Sequence, residues 1–267
     1  MKYLRNSLIG IGVLAVAAVL LLWFLPARWA LPWVEPQLQG LRLQQVHGLL
    51  WEGRADRVLA ANGRQMGQLH WQLSRRLLLG TLQSQLDFKG PQVDFSGAMQ
   101  RLPDGRIAWH EVNVRIDLAS LGPRLTSPLG QPGGELQLII EHALLQGGWP
   151  LQLQAHAQCR HALMRTRDGD VALGDLHADA QAHSGVIEAQ LHDDGHGPLQ
   201  VDGKLQLSPL GWRVDATLRP RQTDPSLRRW LTGLGPQDAD GAVHIHRNSG
   251  LAGSMPEPPQ TGTREIP

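Results

Sequence analysis

The sequence predicts a mainly β protein: an N-terminal transmembrane helix followed by a curved antiparallel β-sheet, a meander carrying one or two short helices. Three observations lead there. Residues 8–25, LIGIGVLAVAAVLLLWFL, form one uninterrupted apolar run. From about residue 45 apolar and polar side chains alternate with a period of two. Short breaks rich in Gly, Pro, Asn and Asp separate the alternating segments.

A run of about 18 apolar residues is just long enough to cross a bilayer core as a helix. Lys2 and Arg5 precede it, which holds residues 1–7 in the cytoplasm and carries the rest to the far side. A cleaved secretory signal is the alternative, because it also joins a charged start to an apolar core. That core is roughly 7 to 15 residues long and ends in small residues of A-x-A type. Here the run leads into PARWALPW, where Ala27 and Ala30 stand one residue too far apart. Trp23, Trp29 and Trp33 suit the interfacial belt that holds a spanning helix in place.

Beyond the run, Leu69, Trp71 and Leu73 alternate with Gln68, His70 and Gln72, which places Trp71 on the buried face of a strand. Leu82, Leu86 and Phe88 continue the pattern, then Ile107 and Trp109, then Val112, Val114, Ile116 and Leu118. Further strands are expected at Leu136–Ile140, Leu151–Ala157, Val171–Leu176, Val186–Leu191, Leu199–Leu207, Trp212–Leu218 and Val243–Ile245. Turns are expected at Lys89-Gly90-Pro91, Pro103-Asp104-Gly105 and Asp168-Gly169-Asp170. A sheet with one apolar face needs a cover, so it curls, forms a sandwich or leaves a lipid-compatible groove. In DPSLRRWLTGLG, Asp224 caps a helix, Pro225 takes its first position, and Leu227, Trp230, Leu231 and Leu234 share a face. Gly233 or Gly235 ends it. In DLASLGPRL, Asp117 caps a single turn that Pro123 stops. The stretch from Asn248 onward has no periodicity and is rich in proline, so it reads as a flexible tail.

Twenty-five Lys and Arg against 24 Asp and Glu give no electrostatic case for nucleic acid. Cys159 is the only cysteine, so the chain cannot form an internal disulfide, and it reads as a small buried hydrophobe. Twelve histidines include His192-Asp193-Asp194-Gly195-His196 and His244-x-His246, but the first reads as a turn and the second as the solvent face of a strand. No G-x-S-x-G elbow and no phosphate-binding glycine loop occurs. No catalytic, metal or cofactor-binding residue is nominated, and an enzyme is not expected.

Two tryptophan-glycine blocks are the most specific text outside the apolar run. One holds Gly48, Trp51 and Gly53; the other holds Gly67, Trp71, Leu77, Leu78 and Gly80. Tryptophans there cap an open end of the sheet, and the glycines allow bulges or close backbone approach. At these blocks the chain resembles the type II secretion system protein N family, with its G-x-L-W-x-G-x-A segment at Gly48 to Ala55 and its L-x-W-x-L and Leu-Leu-x-Gly segments at Leu69–Leu73 and Leu77–Gly80. The end is similar too: strand, strand, short helix, Leu-Gly-x-x-Asp-x-x-Gly at Leu234, Gly235 and Gly241, and a final strand. Ser74-Arg75-Arg76 departs from the family, which often has proline there.

The resemblance implies a bitopic protein of the bacterial inner membrane, accessory to export of folded proteins, with no catalytic residues to carry over and no cofactor. Its division would be a cytoplasmic arm 1–7, an anchor 8–25, a periplasmic β domain 26–247 and a tail 248–267. Its partners would be other secretion-system components of the inner membrane and periplasm, and the membrane itself through 8–25. A more distant likeness, in architecture only, is to AsmA-like bridge proteins, which adds lipid as a further partner.

Overall fold

A computed structural model describes residues 24–34, 38, 40–76, 82–125 and 129–250. The expected anchor lies outside the described residues except for Phe24 and Leu25; of the expected tail 248–267, Asn248–Gly250 belong instead to the last strand, paired with Arg213, Trp212 and Gly211, and 251–267 lies outside the described residues. Among the described residues no helix is long and apolar enough to cross a membrane. The protein is mainly β: 13 strands form an antiparallel sheet whose spatial order is the order of the chain. The chain divides into two compact units, Met1–Leu121 with Leu136–Leu144, and Gly122–Glu135 with Leu145–Pro267.

The first unit contains α1 (Ala27–Val34), β1 (Arg42–Gly48), β2 (Glu52–Leu59), β3 (Gln65–Leu73), β4 (Gln83–Lys89), β5 (Val93–Arg101) and β6 (Ile107–Asp117). It also holds the middle of β7 (Gln131–Gln146). α1, β1, β2 and β5 were not legible as separate elements. β1 is RLQQVHG, mostly polar because it lies at the edge of the sheet and has little to bury.

The spacing of apolar residues in β6 breaks parity between Trp109 and Val112, and a bulge explains it. Glu111 has φ 51, and the β5–β6 register shifts between Ser96 and Ala98. The extra residue returns Val112, Val114 and Ile116 to one side of the strand. Asp117 accepts the Ala119 N–H at 3.0 Å, as a cap should. The element it opens is a 3-10 helix over Leu118–Leu125, longer than the single turn expected; it runs through Pro123, whose missing N–H costs little in so short a helix.

The second unit contains the rest of β7, β8 (Trp149–Thr166), β9 (Gly169–His183), β10 (Val186–Asp193), β11 (Leu199–Ser208), β12 (Gly211–Pro220), α2 (Pro225–Thr232) and β13 (Val243–Gly250). Its strands set a polar face against an apolar one. The row His156, Asp179, Gln190, Lys204, Asp215 and His246 runs in register from β8 to β13. On the other face run Ala157, Ala178, Leu191, Gly203, Ala216 and Ile245. β8 is kept long by compensating register shifts between Cys159 and Leu163, where His161 has φ 49 and Gly174 has φ 97. The displaced His161 N–H is taken up by the Asp175 carboxylate at 2.7 Å.

α2 covers one end of the apolar face. Asp224 accepts the Ser226 N–H at 2.8 Å and Pro225 opens the helix. Leu227 and Leu231 are fully buried against Ala162, Val171, Leu173, Leu199, Leu218 and Val243. Each such leucine contributes about 2–3 kcal/mol of burial. Gly233 caps the helix end with φ −69, so its left-handed freedom is not what ends the helix. Cys159 is half-buried beside this core; burial, with the Asp175 carboxylate adding to it, pushes its thiol pKa up, which disfavours the reactive thiolate.

Candidate functional site

The first tryptophan-glycine block folds as the tight connection from β1 to β2. Gly48 has φ 90, and a Cβ there would lie 2.5 Å from the Glu52 carbonyl oxygen. The Leu49 N–H donates to that oxygen at 2.8 Å. Trp51 is buried in the core of the first unit, 4% exposed. A Cβ on Gly53 would meet the Trp71 ring at 2.5 Å and the Leu49 carbonyl oxygen at 2.9 Å, so the indole lies directly on the backbone.

Trp71 shares a side of β3 with Leu69 and Leu73, but it is half-buried. The expectation of a core position is corrected accordingly: the ring seals the rim of the β1–β2 connection, and its Nε1–H donates to the Leu50 carbonyl at 3.1 Å. The Leu73 N–H donates to the Trp51 carbonyl at 2.6 Å. Gly48, Trp51, Gly53 and Trp71 therefore meet in one patch. Gly80 lies outside the described residues.

The same patch receives the chain as it leaves the apolar run. The Leu50 N–H donates to the Leu25 carbonyl at 2.8 Å, and Pro26 bridges to Leu49. Ala27 is buried, and α1 packs against β1. Phe24 and Trp29 beside it are about 60% exposed. Spacing in the sequence carries no sign of the Leu25–Leu50 link, since it joins two segments by backbone groups alone.

The second motif lies in the other unit. Leu234 packs on the α2 core, Gly235 lies beside Val243, and Gly241 has φ 77 in the turn before β13. Asp238 organises that turn. Its carboxylate accepts N–H groups from Ala242 at 2.8 Å and Asp240 at 3.0 Å, which holds its pKa below the usual carboxylate range.

The histidine groupings resolve into structural roles. In the turn after β10, Asp194 accepts N–H groups from His196 and Gly197. Asp193 is not solvated as a turn residue would be: its side chain is 5% exposed and pairs with Arg221 at 2.5 Å. It also accepts the Val201 and Gly195 N–H groups at 2.8 Å. Burial alone would raise its pKa; the Arg221 guanidinium and the two amides outweigh that and hold it at about 2. His246 bonds to Asp215, and His244 to Thr217 at 3.1 Å, both on the exposed polar face. Among the described residues no group of three or more His, Cys, Asp or Glu is placed to hold a metal ion.

A family model for type II secretion system (T2SS), protein N matches residues 39–246, most of the chain. The chain belongs to the type II secretion system protein N family. Membership implies a component of that system and suggests interaction with its other components. The match covers both motif groups, the patch around Trp51 and Trp71 and the turn around Asp238. No curated protein and no solved structure matches the chain.

Proposed function

We propose that the protein is a non-enzymatic accessory or assembly component of the type II secretion system, moored in the inner membrane by residues 8–25, with residues 26–247 forming a periplasmic β domain. The family match over 39–246 carries this reading. The apolar run after Lys2 and Arg5 supports the mooring, and so do the exposed Phe24 and Trp29 where the run meets the sheet. The motif residues Gly48, Trp51, Gly53 and Trp71 then act structurally, by fixing the sheet to the emerging chain. Gly80, Leu234, Gly235 and Gly241 belong to the same family framework.

Deleting the protein should impair release of exported proteins, and crosslinking in cells should join it to inner-membrane secretion components. Normal release together with absence of those crosslinks would refute the reading. A cysteine placed at Asn62, an exposed residue of the β2–β3 turn, should react with a membrane-impermeant thiol reagent once the outer membrane is opened.

A second reading, a lipid-handling β groove, is favoured by one observation. The apolar row Leu153, Ala182, Ile187, Leu207 and Trp212 continues the face that α2 covers at one end, and most of these residues are only half-buried. Native mass spectrometry of the extracted protein should then find bound lipid; a bare protein would reject it.

A further inference from the structure

We infer that the hairpin tips at one end of the second unit rest in the interface of a lipid bilayer, as a contact separate from residues 8–25. This goes beyond the assembly role above and does not rest on it. The strands of that unit form a meander, so their turns alternate between the two ends of the sheet. One end holds the β7–β8, β9–β10 and β11–β12 turns and the close of β13. The registers place them together: Gln152 and Val186 both pair with His183, Ile187 with Leu207, Ser208 with Gly211, and Gly211 with Gly250.

The two ends differ in charge. No Asp, Glu, Lys or Arg occurs in 142–159, 180–187 or 205–212, the stretches that build the first end, and 248–256 leaves β13 there without adding one. The other end carries Arg167 and Asp168 in one turn, Asp193 and Asp194 in the next, and Asp238 and Asp240 before β13. Turns that face water ordinarily collect aspartate for its local hydrogen bonds, so its exclusion from every turn of one end needs a cause in that end's surroundings.

Apolar and aromatic side chains stand where the charges are missing. Trp149 and Leu151 flank the first tip, Ile187 the second, and Leu210 and Trp212 the third. Leu210 is 61% exposed between Pro209 and Gly211, where it has no core to join. The polar groups of the tips are already bonded, as entry into an interface requires. The Trp149 Nε1–H donates to the Gly185 carbonyl at 2.7 Å, and the Gly185 N–H to the Leu151 carbonyl at 3.3 Å. The Ser208 hydroxyl donates to the Gly211 carbonyl at 3.2 Å and accepts the Leu210 N–H at 3.3 Å.

The depth also fits. Charge returns in the row Glu188, Gln206 and Arg213. From that row out to Gly185 or Leu210 the chain rises about 10 Å, at ~3.4 Å per residue. Side chains seated in the boundary between headgroups and acyl chains enter by about 5–10 Å, and tryptophan is enriched at that level. A protein partner would find at this end no charge to steer it or set its register, whereas a bilayer interface asks for none.

The test uses the full chain carrying Cys159→Ala and one new cysteine, Leu210→Cys or Ser184→Cys at the tips, or Gln222→Cys at the other end, labelled with an environment-sensitive fluorophore. The labelled protein is reconstituted into phosphatidylcholine vesicles. Spin-labelled phosphatidylcholine is placed in the same vesicles or in vesicles added afterwards, so that one arm reads a tip on its own bilayer and the other a tip on a second bilayer. In at least one arm quenching at 210 and 184 should exceed that at 222 by about threefold, and Leu210→Asp should reduce quenching at 184 by about half while circular dichroism shows the fold intact. High salt should leave the quenching unchanged, because no charge takes part. Equal quenching at both ends, no quenching of the tips in either arm, or its loss in high salt overturns the proposal. Tips that escape the spin label and crosslink from 210 to 210 overturn the bilayer in favour of a second copy. Alkaline extraction of the vesicles reads residues 8–25 separately, so the mooring and the tip contact fail independently.

Discussion

Asp193→Asn removes the charge from the pair with Arg221 and keeps one oxygen, which can serve only one of the Val201 and Gly195 N–H groups, since the carboxylate accepts them on separate oxygens. The carboxyl is held at about 2 against an ordinary 3.8. At about 1.36 kcal/mol per pH unit, that drop corresponds to about 2.4 kcal/mol of native-state stability. Because the folded value lies below the unfolded one, the contribution is complete above about pH 4 and is lost as pH falls through about 2. Asp193→Asn should therefore cost about 2 kcal/mol in urea denaturation of the full chain at pH 7, and the gap to the unaltered protein should close as the pH is lowered from 4 to 2. Arg221→Gln should cost a similar amount, and the double variant much less than the sum. Faster hydrogen exchange at the Val201 amide would report the same loss locally. A gap below about 0.5 kcal/mol at pH 7, or one that stays constant down to pH 2, refutes the reasoning.

Trp71→Ala should cost about 3 kcal/mol, from roughly 100 Å² of half-buried ring and one hydrogen bond, and Trp71→Phe about 1 kcal/mol; an unchanged melting temperature for Trp71→Ala contradicts the packing on Gly53. Gly53→Ala should cost about 1–3 kcal/mol, because both the ring and the Leu49 carbonyl stand inside the space of a Cβ. Gly105→Ala, at φ 84, should cost about 1–2 kcal/mol in the same melts from backbone strain alone, since a Cβ there meets nothing within 4 Å. Leu231→Ala should cost about 2–5 kcal/mol and release α2, seen as faster exchange of its amides.

How much was legible follows from the range of the interactions. Alternation located β3, β6 and the long strands of the second unit, because a side chain's face depends only on its parity along the strand. α2 was legible because cap, proline and apolar stripe lie within a few residues of one another. The edge strand β1 was not, having little apolar surface to bury, and the bulges at Glu111 and His161 showed only as breaks in parity. The tryptophan and glycine blocks announced themselves by composition, yet their meeting at Leu25 and Leu50 did not, since backbone groups are the same in every sequence.

By itself the sequence determined the class of the protein: mainly β, with an apolar N-terminal run, no disulfide and a family pattern at both ends of the sheet. The tertiary structure alone decided that Trp71 lies on the Gly53 backbone, that Asp193 is buried on Arg221, and that the β1 edge of the sheet is kinked and covered. Those outcomes depend on groups brought together across strands, such as Asp193 and Arg221 on either side of β11, and no local pattern encodes such a meeting.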